Sequence, residues 1–575
     1  MIQRLYALPA LVALVILCSH CTKPAPPVEQ QATQTLASDS TARLWYKNSV
    51  IYTLDVEVFQ DSDNDGVGDF NGLTQRLGYI DSLGADAIWL SPFQPTPNKD
   101  DGYDISDYYT IDPRLGTLDD FKRFIEAAHK RKMRIIMDLV LNHTSIDHPW
   151  FLEGRNPTSN YHDWYVWSKE RPKNYDKGMV FPGVQKAIWS YDDKAKEYYY
   201  HRFYRFQPDL NMQNPAVQRE ARKIIKTWLD RGISGFRVDA VPFVIEVPNT
   251  ENDNFDHQFE LLHAIRAYVD SLKSDAIILG EANVMPEENK QYFGAQAEGM
   301  HMMFNFYVNQ HLFYALATGD TRPLQKALLA TQELPQTAAW GQFLRNHDEV
   351  DLGRLSERER QAVYDAMGPD TSMQLYDRGI RRRLAPMLHN NRKQLELAYS
   401  ALLALPSTPV LRYGDEIGMG DNLELPERMS VRTPMQWNTS KQAGFSGSSK
   451  PVQPVITDAV YGYQKINVRT EQGDTSSLLH WTKNLVQLRK QCPEIAFGHW
   501  NLIHTGGASI LALHYHWNTD DLIVLLNFSP YPQQFALRVN TPLTEVRTRV
   551  GYTPTEGKHD LTLQPYQYLW LRSKP

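Results

Sequence analysis

The sequence predicts an α/β fold: a (β/α)8 barrel with an inserted small domain after strand three and a C-terminal antiparallel β-sandwich domain. From Trp45 onward, short apolar runs typical of buried parallel strands alternate with amphipathic helical segments. Eight such runs can be counted, which is the number of strands in this barrel. Several runs end in charged or imidazole side chains, and polar residues at the carboxyl ends of barrel strands are typically catalytic.

The eight predicted strands follow one another along the chain. The first three are VIYTLDV (50–56), ADAIWLSP (85–92) and RIIMDLVL (134–141). Between the second and the third, LDDFKRFIEAAHKRK has apolar residues at three- and four-residue spacing and predicts a helix. The other five predicted strands lie in GFRVDA, AIILGEA, MHMMFNFY, GQFLRNHD and TPVLRYGDE.

Three long segments interrupt this alternation and define the predicted domains. Residues 143–208, rich in Tyr, Trp, Lys and Asp, predict an inserted domain, so that the barrel comprises residues 44–142 and 209–492. Residues 349–407 and 415–475 are also long, and such segments are usually lids or disordered. All three fall on the predicted catalytic face, which favours lids. Alternating apolar runs in residues 498–575 predict the antiparallel β domain.

The N-terminus predicts export. Residues 1–21 combine Arg4 with an apolar run at 7–17 that is too short to span a bilayer and is typical of a signal peptide. Cys18 or Cys21 would accept a lipid, and residues 22–43 would form a flexible tether. The prediction is therefore a periplasmic protein or a membrane-anchored lipoprotein, the alternative being an ordinary exported chain. The third cysteine is Cys492, so no intrachain disulfide is expected in the mature fold.

Composition excludes some functions. The net charge of −7 offers no electrostatic reason to expect a nucleic-acid partner. The sequence contains no phosphate-binding loop, metal-hydrolase histidine cluster or Ser-His-Asp motif. The 13 Trp and 30 Tyr residues fit either a sugar site or an aromatic core.

Asp239 and Glu281 follow the neighbouring predicted strands four and five. Cleavage of a glycosidic bond needs two carboxyl groups at one sugar carbon, one to attack or to activate water and one to protonate the leaving oxygen. Arg237 lies two residues before Asp239 and therefore shares its face of the strand. A guanidinium there would keep Asp239 ionised, whereas apolar surroundings would keep Glu281 protonated. The alternative for Arg237 and Asp239 is a buried structural ion pair.

Four segments in this order, DxxxNH, GFRxD, the strand-five glutamate and NHD, resemble the signature segments of the α-amylase family of glycoside hydrolases, over roughly residues 44–575. The resemblance implies that Asp239 is the nucleophile, Glu281 the general acid/base and Asp348 a third carboxylate that grips sugar hydroxyls. Asp138 would support the site without reacting. The implied substrate-binding residues are Asp100, Tyr103, His143, Gln207, Arg237, His347, Arg428 and Arg432.

Further segments, among them HRFYRFQPDLN, GFRVDAVPF and VRTPMQW, are similar to trehalose synthases, a branch of this family that isomerises maltose to trehalose. The resemblance implies a retaining enzyme with a covalent glucosyl-enzyme, acting on maltose or short α-glucans. The alternatives are an exported α-glucosidase or α-amylase-type hydrolase and, more remotely, a catalytically inactive sugar-binding module. Two departures from the family are the LDVEVF opening strand, where a basic version is usual, and Arg412, which replaces a tyrosine. The sequence does not specify an oligomeric state.

The loop DSDNDGVGD predicts a calcium site. Its alternating carboxylates repel one another unless a cation binds, although a solvated acidic turn is the alternative. The resemblance favours Ca²⁺, since the family often places one in this first loop, and it implies a second ion that would tie the inserted domain to the barrel. The predicted ligands are Asp61, Asp63, Asp65, the carbonyl of Val67 and Asp69 for the first ion, and Asn142 and Asp209 for the second.

Overall fold

The computed structural model describes residues 43–573, and a closed barrel of eight parallel strands lies at its centre. Each strand pairs with its neighbours in chain order, and the last pairs with the first. The predicted (β/α)8 fold is therefore confirmed. The strands are β1 Ile51–Leu54, β2 Ala87–Leu90, β3 Arg134–Leu139, β4 Gly235–Val238, β5 Ile277–Gly280, β6 Met302–Phe304, β7 Ala339–Phe343 and β8 Thr408–Arg412.

The two-residue period of a strand decides which side chains enter the barrel. In β2, Ala87 and Trp89 belong to the apolar cluster inside the barrel, whereas Ile88 and Leu90 pack against the outer helices. Both faces are buried, which explains the continuous apolar runs. The same alternation in β4 turns Phe236 and Val238 outward, so the intervening residue, and the residue after the strand, face the barrel axis.

Helices surround the barrel and cover the outer faces of its strands. The helix predicted from LDDFKRFIEAAHKRK spans Leu118–Lys130. It begins with a capping box, in which Thr117 and Asp120 each bond to the other's backbone. The other α-helices among residues 43–573, including those outside the barrel, are Phe70–Leu83, Pro149–Gly154, Pro215–Asp230, Val241–Val244, Glu260–Leu272, Asn289–Phe293, Phe306–Thr318, Arg322–Ala330, Glu357–Met367, Leu384–Met387, Arg392–Ala404, Val468–Gly473, Leu478–Lys490 and Glu494–Phe497.

The segment 143–208 forms a small unit above the barrel. It contains the helix Pro149–Gly154 and an antiparallel sheet of Trp167–Ser168, Glu197–Tyr200 and Trp189–Asp192. A hairpin that the sequence did not predict, Glu246–Val247 with Asp256–His257, follows β4 and packs Phe255 into the core of this unit. The segment after β4 therefore helps to hold the inserted unit in place.

The C-terminal part consists of antiparallel sheets of six and two strands, which enclose a separate apolar core. The predicted antiparallel β-sandwich agrees with this arrangement. Its strands are His499–Leu502, Ile510–Trp517, Asp520–Asn527, Gln533–Leu537, Leu543–Glu545, Gly551–Tyr552, His559–Leu563 and Tyr568–Ser573.

The predicted signal peptide, both candidate lipid-bearing cysteines and nearly all of the tether lie outside the described residues. Among residues 43–573, no helix has both the length and the apolar character needed to cross a membrane.

Candidate active site

Arg237 lies at the carboxyl end of the barrel and contacts three carboxylates. Its Nη1 is 2.6 Å from Asp239 Oδ1 and 2.5 Å from Asp138 Oδ1, and its Nη2 is 2.7 Å from Glu281 Oε2. The predicted pair of Arg237 and Asp239 is present, but the structure adds two further partners. The strand periods of β3, β4 and β5 bring all four residues to the barrel axis.

Asp138 is fully buried beneath the pair of Asp239 and Glu281. Its Oδ2 accepts hydrogen bonds from Trp89 Nε1 at 3.0 Å and Tyr103 Oη at 3.2 Å. Burial raises the pKa of Asp138 to about 7, with the Asp239 charge adding to it and Arg237 opposing it. Since every oxygen of Asp138 is committed to protein donors, its geometry suits a supporting role.

Glu281 has an environment that favours its protonated form. Burial raises its pKa to about 8, and the nearby charges of Asp239 and Asp348 add to this effect, although Arg237 opposes them. Its Oε2 also accepts a hydrogen bond from the backbone N–H of Ala240 at 3.0 Å. At neutral pH Glu281 can therefore donate a proton.

Asp348 has the opposite electrostatic environment. Burial raises its pKa, but Arg428, His347 and Arg432 together outweigh burial and hold the pKa below its usual range. Arg428 Nη1 lies 3.1 Å and Arg432 Nη2 3.0 Å from Asp348 Oδ1. Arg432 also bonds to Asp101 Oδ2 at 2.7 Å, a partner that sequence reasoning missed. Both arginines come from segment 415–475, so this segment reaches the site.

The other predicted substrate-binding residues surround the same space. Gln207 Nε2 donates to Asp100 Oδ2 at 2.7 Å, and burial raises the pKa of Asp100 to about 7 despite the nearby arginines. The rings of Tyr103 and His347 stack with their centroids 5.4 Å apart. His143 bonds to the carbonyl of Tyr103 through Nε2 at 3.2 Å, and burial lowers its pKa to about 4, so it is neutral at physiological pH.

Most of these residues border a cavity of about 560 Å³, a size that accommodates a small ligand. The other three predicted substrate-binding residues, Gln207, Arg237 and Arg432, are buried behind the residues that line it. Asp100, Tyr103, His143, Asp239, Glu281, His347, Asp348 and Arg428 all line it. The cavity also has walls that the sequence did not reveal, because nothing in the local pattern around these residues indicates that they face the site. The lining residues missed include Met179, Phe181, Arg202, Phe203, Phe243, Asn283, Glu288, Tyr292, Phe306, Glu349, Arg354 and Arg378.

The acidic opening strand LDVEVF and Arg412, the two departures from the family pattern, supply the two partners of one buried ion pair. Arg412 Nη2, at the end of β8, lies 2.7 Å from Asp55 Oδ2, just after β1, and both side chains are buried. Burial would raise the pKa of Asp55, but Arg412 and His347 outweigh it and hold the pKa below its usual range. The acidic and basic replacements therefore compensate each other beneath the site.

The residues predicted to bind cations form two groups. Carboxylate oxygens of Asp61, Asp63 and Asp65 lie within 4.8 Å of one another, close enough to share an ion. Asp69 is engaged differently: it caps the helix Phe70–Leu83 and accepts hydrogen bonds from Ser62. Val67 follows the three carboxylates in the loop.

The second predicted cation group lies where the inserted unit meets the barrel. The backbones of His143 and Asp209 form a bridge, and the Asn142 carbonyl accepts a hydrogen bond from Leu210 N at 2.8 Å beside the buried Asp209 carboxylate. Burial raises the pKa of Asp209 well above its usual value. A cation would offset the cost of this buried charge, so the donor set suits one.

The family model of the α-amylase catalytic domain matches residues 51–498. The chain belongs to the α-amylase family. The match spans the barrel, the inserted unit and the long segments 349–407 and 415–475, so the family resemblance of the signature segments is confirmed.

Within the α-amylase family, this chain is similar to trehalose synthases. It is 40% identical to a trehalose synthase of Thermus thermophilus over 92% of its own length, but spans only 56% of that relative. It is also 40% identical to a trehalose synthase/amylase of Mycolicibacterium smegmatis, with coverage of 91% of this chain and 89% of the relative. The solved structure of a trehalulose synthase from Pseudomonas mesoacidophila has a TM-score of 0.75 at 26% identity, covering 92% of this chain and 99% of that one.

Proposed function

We propose that this protein is a retaining α-glucosyl transferase that acts on maltose or short α-glucans and isomerises maltose to trehalose. The observation that carries the proposal is the set of carboxyl groups around Arg237, with a protonated Glu281 beside an ion-paired Asp239. Arg237 contacts Asp239 through one terminal nitrogen and Glu281 through the other. This arrangement favours the short separation of the two carboxyl groups in retaining glycosidases, about 5–5.5 Å, over the ~6.5–9.5 Å separation in inverting ones.

In the first step, Asp239 would attack the anomeric carbon while Glu281 protonates the leaving oxygen, so that glucose departs from a covalent glucosyl-enzyme. Ester formation removes the negative charge of Asp239, which is one cause of the raised pKa of Glu281. The pKa of Glu281 therefore falls in the intermediate, and the residue becomes a base. It would then accept the proton of the hydroxyl group that attacks the glucosyl-enzyme.

Substrate binding would use the remaining residues. Asp348, kept ionised by Arg428 and Arg432, would accept hydrogen bonds from sugar hydroxyls as the ring distorts. Tyr103 offers an aromatic surface against which a sugar ring can pack. Asp100, oriented by the hydrogen bond from Gln207, and the two histidines would contact the hydroxyls of the same glucose.

The acceptor distinguishes two candidate functions. If glucose itself attacks through its anomeric hydroxyl, the product is trehalose; if water attacks, the enzyme is a hydrolase. The 40% identity to the trehalose synthases supports the first. The second part of the Mycolicibacterium relative's name, amylase, keeps hydrolysis as the second candidate.

The test is incubation of pure protein with maltose and separation of the products. Trehalose in excess of free glucose is the expected result, and glucose without trehalose would reject the isomerase. The Asp239→Asn variant should lose all activity on maltose and on aryl α-glucosides, because no nucleophile remains. Activity in that variant would contradict the assignment of Asp239.

We also propose that Ca²⁺ binds the two acidic groups. The first would be held by Asp61, Asp63 and Asp65, with Val67 and Asp69 adjoining, and the second by Asn142 and Asp209. The ion would supply positive charge that offsets carboxylate repulsion and holds the loops. Chelation should lower the unfolding temperature, and Asp61→Asn should remove part of that response; a curve unaffected by chelation and by added Ca²⁺ would contradict this.

Export is a further proposal, supported by residues 1–21 of the sequence. The mature chain would be periplasmic or tethered to a membrane through a lipid on Cys18 or Cys21. Mass spectrometry of the mature N-terminus measures this directly: an unmodified chain that begins after Cys21 would end the lipoprotein proposal.

A further inference from the structure

Three loops that are distant in sequence meet at a single carboxylate. Glu427 Oε2 accepts a hydrogen bond from Tyr204 Oη at 2.8 Å and from Tyr376 Oη at 2.6 Å. The two hydroxyl groups are also 3.2 Å apart. Tyr204 belongs to the inserted unit, Tyr376 to segment 349–407 and Glu427 to segment 415–475. We call these three residues the latch.

The latch lies directly behind the wall of the active-site cavity. Phe181, which lines the cavity, stacks on Tyr204 with centroids 4.9 Å apart and packs against Tyr376 at 4.7 Å. The Arg428 guanidinium lies 5.0 Å from the Phe181 ring and 5.4 Å from the Tyr376 ring. Arg428 in turn contacts the third carboxylate of the site. The latch residues do not line the cavity, but the wall in front of them does.

Other contacts hold the same loops in this arrangement. Arg378 Nη1 donates to the Val180 carbonyl at 2.7 Å, which joins segment 349–407 to the inserted unit. Arg381 donates to the carbonyls of Leu425 at 2.6 Å and Leu423 at 2.9 Å, which joins it to segment 415–475. These contacts bring the loops close, whereas the latch is the point at which all three share one acceptor.

Two latch residues have unfavourable backbone conformations. Tyr376 has φ 57° and Glu427 has φ 41°, both in the left-handed region that non-glycine residues rarely adopt. Such conformations persist only where surrounding contacts compensate their cost, and they cluster at clamps and switch regions. Burial also raises the pKa of both tyrosine hydroxyls, so they remain protonated donors to the carboxylate.

We propose that Tyr204, Tyr376 and Glu427 determine what accepts the glucosyl group, because they keep the three loops together over the cavity. This inference rests on the proposed isomerisation. With the latch formed, cleaved glucose stays beside the glucosyl-enzyme. Its anomeric oxygen forms the new bond to the glucosyl carbon as the ester bond to Asp239 breaks, and its proton passes to Glu281. With the latch open, glucose leaves and water takes its place in the same step.

The experiment uses the full chain and unlabelled maltose in the presence of equimolar ¹³C-labelled glucose. Trehalose made from retained glucose is unlabelled, whereas trehalose made after exchange carries the label. The Tyr204→Phe/Tyr376→Phe variant removes both donors and keeps the rings. Glu427→Gln weakens both hydrogen bonds while preserving the shape of the side chain. It takes the place of the double variant in the experiment if the double variant folds poorly. Both readouts are ratios within one reaction and do not depend on total rate.

The matched control is Tyr199→Phe. Tyr199 Oη donates to the Arg205 carbonyl at 2.7 Å inside the inserted unit, so the variant loses a hydroxyl contact without separating the loops. Thermal unfolding of all variants measures the general cost of the substitutions. The control should retain the wild-type label content and glucose share.

In the latch variants, the labelled share of trehalose and the free-glucose share should each rise at least about fivefold, because about fivefold is the ratio that corresponds to the loss of one of the two hydrogen bonds. Wild-type values in both latch variants would overturn the inference while leaving isomerisation intact. A wild-type enzyme that makes no trehalose would instead overturn the proposed function, and the inference with it. Equal changes in Tyr199→Phe would show that loosening of the inserted unit, not the latch, is responsible, and would also overturn it.

Discussion

Replacement of Glu281 by Gln tests the role of the raised pKa most directly. The pKa of Glu281 is about 8, against an ordinary value of 4.5. At about 1.4 kcal/mol for each pKa unit, this difference corresponds to about 5 kcal/mol by which the folded site disfavours the ionised form. Gln resembles the protonated form in shape and charge, but it can neither donate a proton to a leaving group nor ionise.

The activity of the wild-type enzyme on maltose should be lost above pH 8. A general acid must carry its proton, so kcat/KM should fall about tenfold for each pH unit above the pKa. In Glu281→Gln, activity on maltose should be lost at every pH. Fluoride leaves without protonation, so the variant should still release fluoride from α-glucosyl fluoride, now without an alkaline decline. The assay is fluoride release between pH 5 and 10.

The stability of the two proteins should diverge over the same range. Because the folded-state pKa is raised, the folded wild type binds more protons than the unfolded chain between pH 4.5 and 8. The contribution of Glu281 to stability is therefore present below pH 4.5 and lost as pH rises to 8. The variant avoids this loss, so its stability relative to wild type should increase by about 5 kcal/mol between pH 4 and 9. Urea unfolding measures the difference. Parallel stability curves, or an alkaline decline that persists in the variant with the fluoride substrate, would refute the reasoning.

Three other substitutions test separate contacts. Arg432→Lys keeps the positive charge, but a lysine cannot contact both Asp348 and Asp101 as Arg432 does. The kcat/KM on maltose should therefore fall about tenfold or more, and an unchanged value would contradict the assigned contact. Asp55→Asn leaves Arg412 buried without its counter-ion and should lower the free energy of unfolding, measured with urea, by about 3–5 kcal/mol. The double variant Asp55→Asn/Arg412→Leu should regain part of this stability. If the destabilisations from the two changes are additive, the residues do not interact. Thr117→Ala removes a helix cap and should cost about 1 kcal/mol with no effect on kcat, and a loss of activity would mean that the cap acts on the site.

Local sequence patterns were enough to predict most of the barrel. Continuous apolar runs at β1 to β8 identified the strands because both faces of a barrel strand are buried. The same two-residue period placed Arg237 and Asp239 on one face, and strand order placed Glu281 beside them. Strand ends were less well predicted, since the residues at the carboxyl ends leave the sheet to face the site.

The sequence by itself determined which strands form the barrel and which carboxyl groups its ends present, because those properties follow from spacing within each segment. Only the tertiary structure decided that Arg237 also holds Glu281, that Asp55 pairs with Arg412, and that Glu427 joins three loops. Each of these contacts links residues tens to hundreds of positions apart. Such pairings are set by how the loops pack over the barrel, and no local periodicity records them.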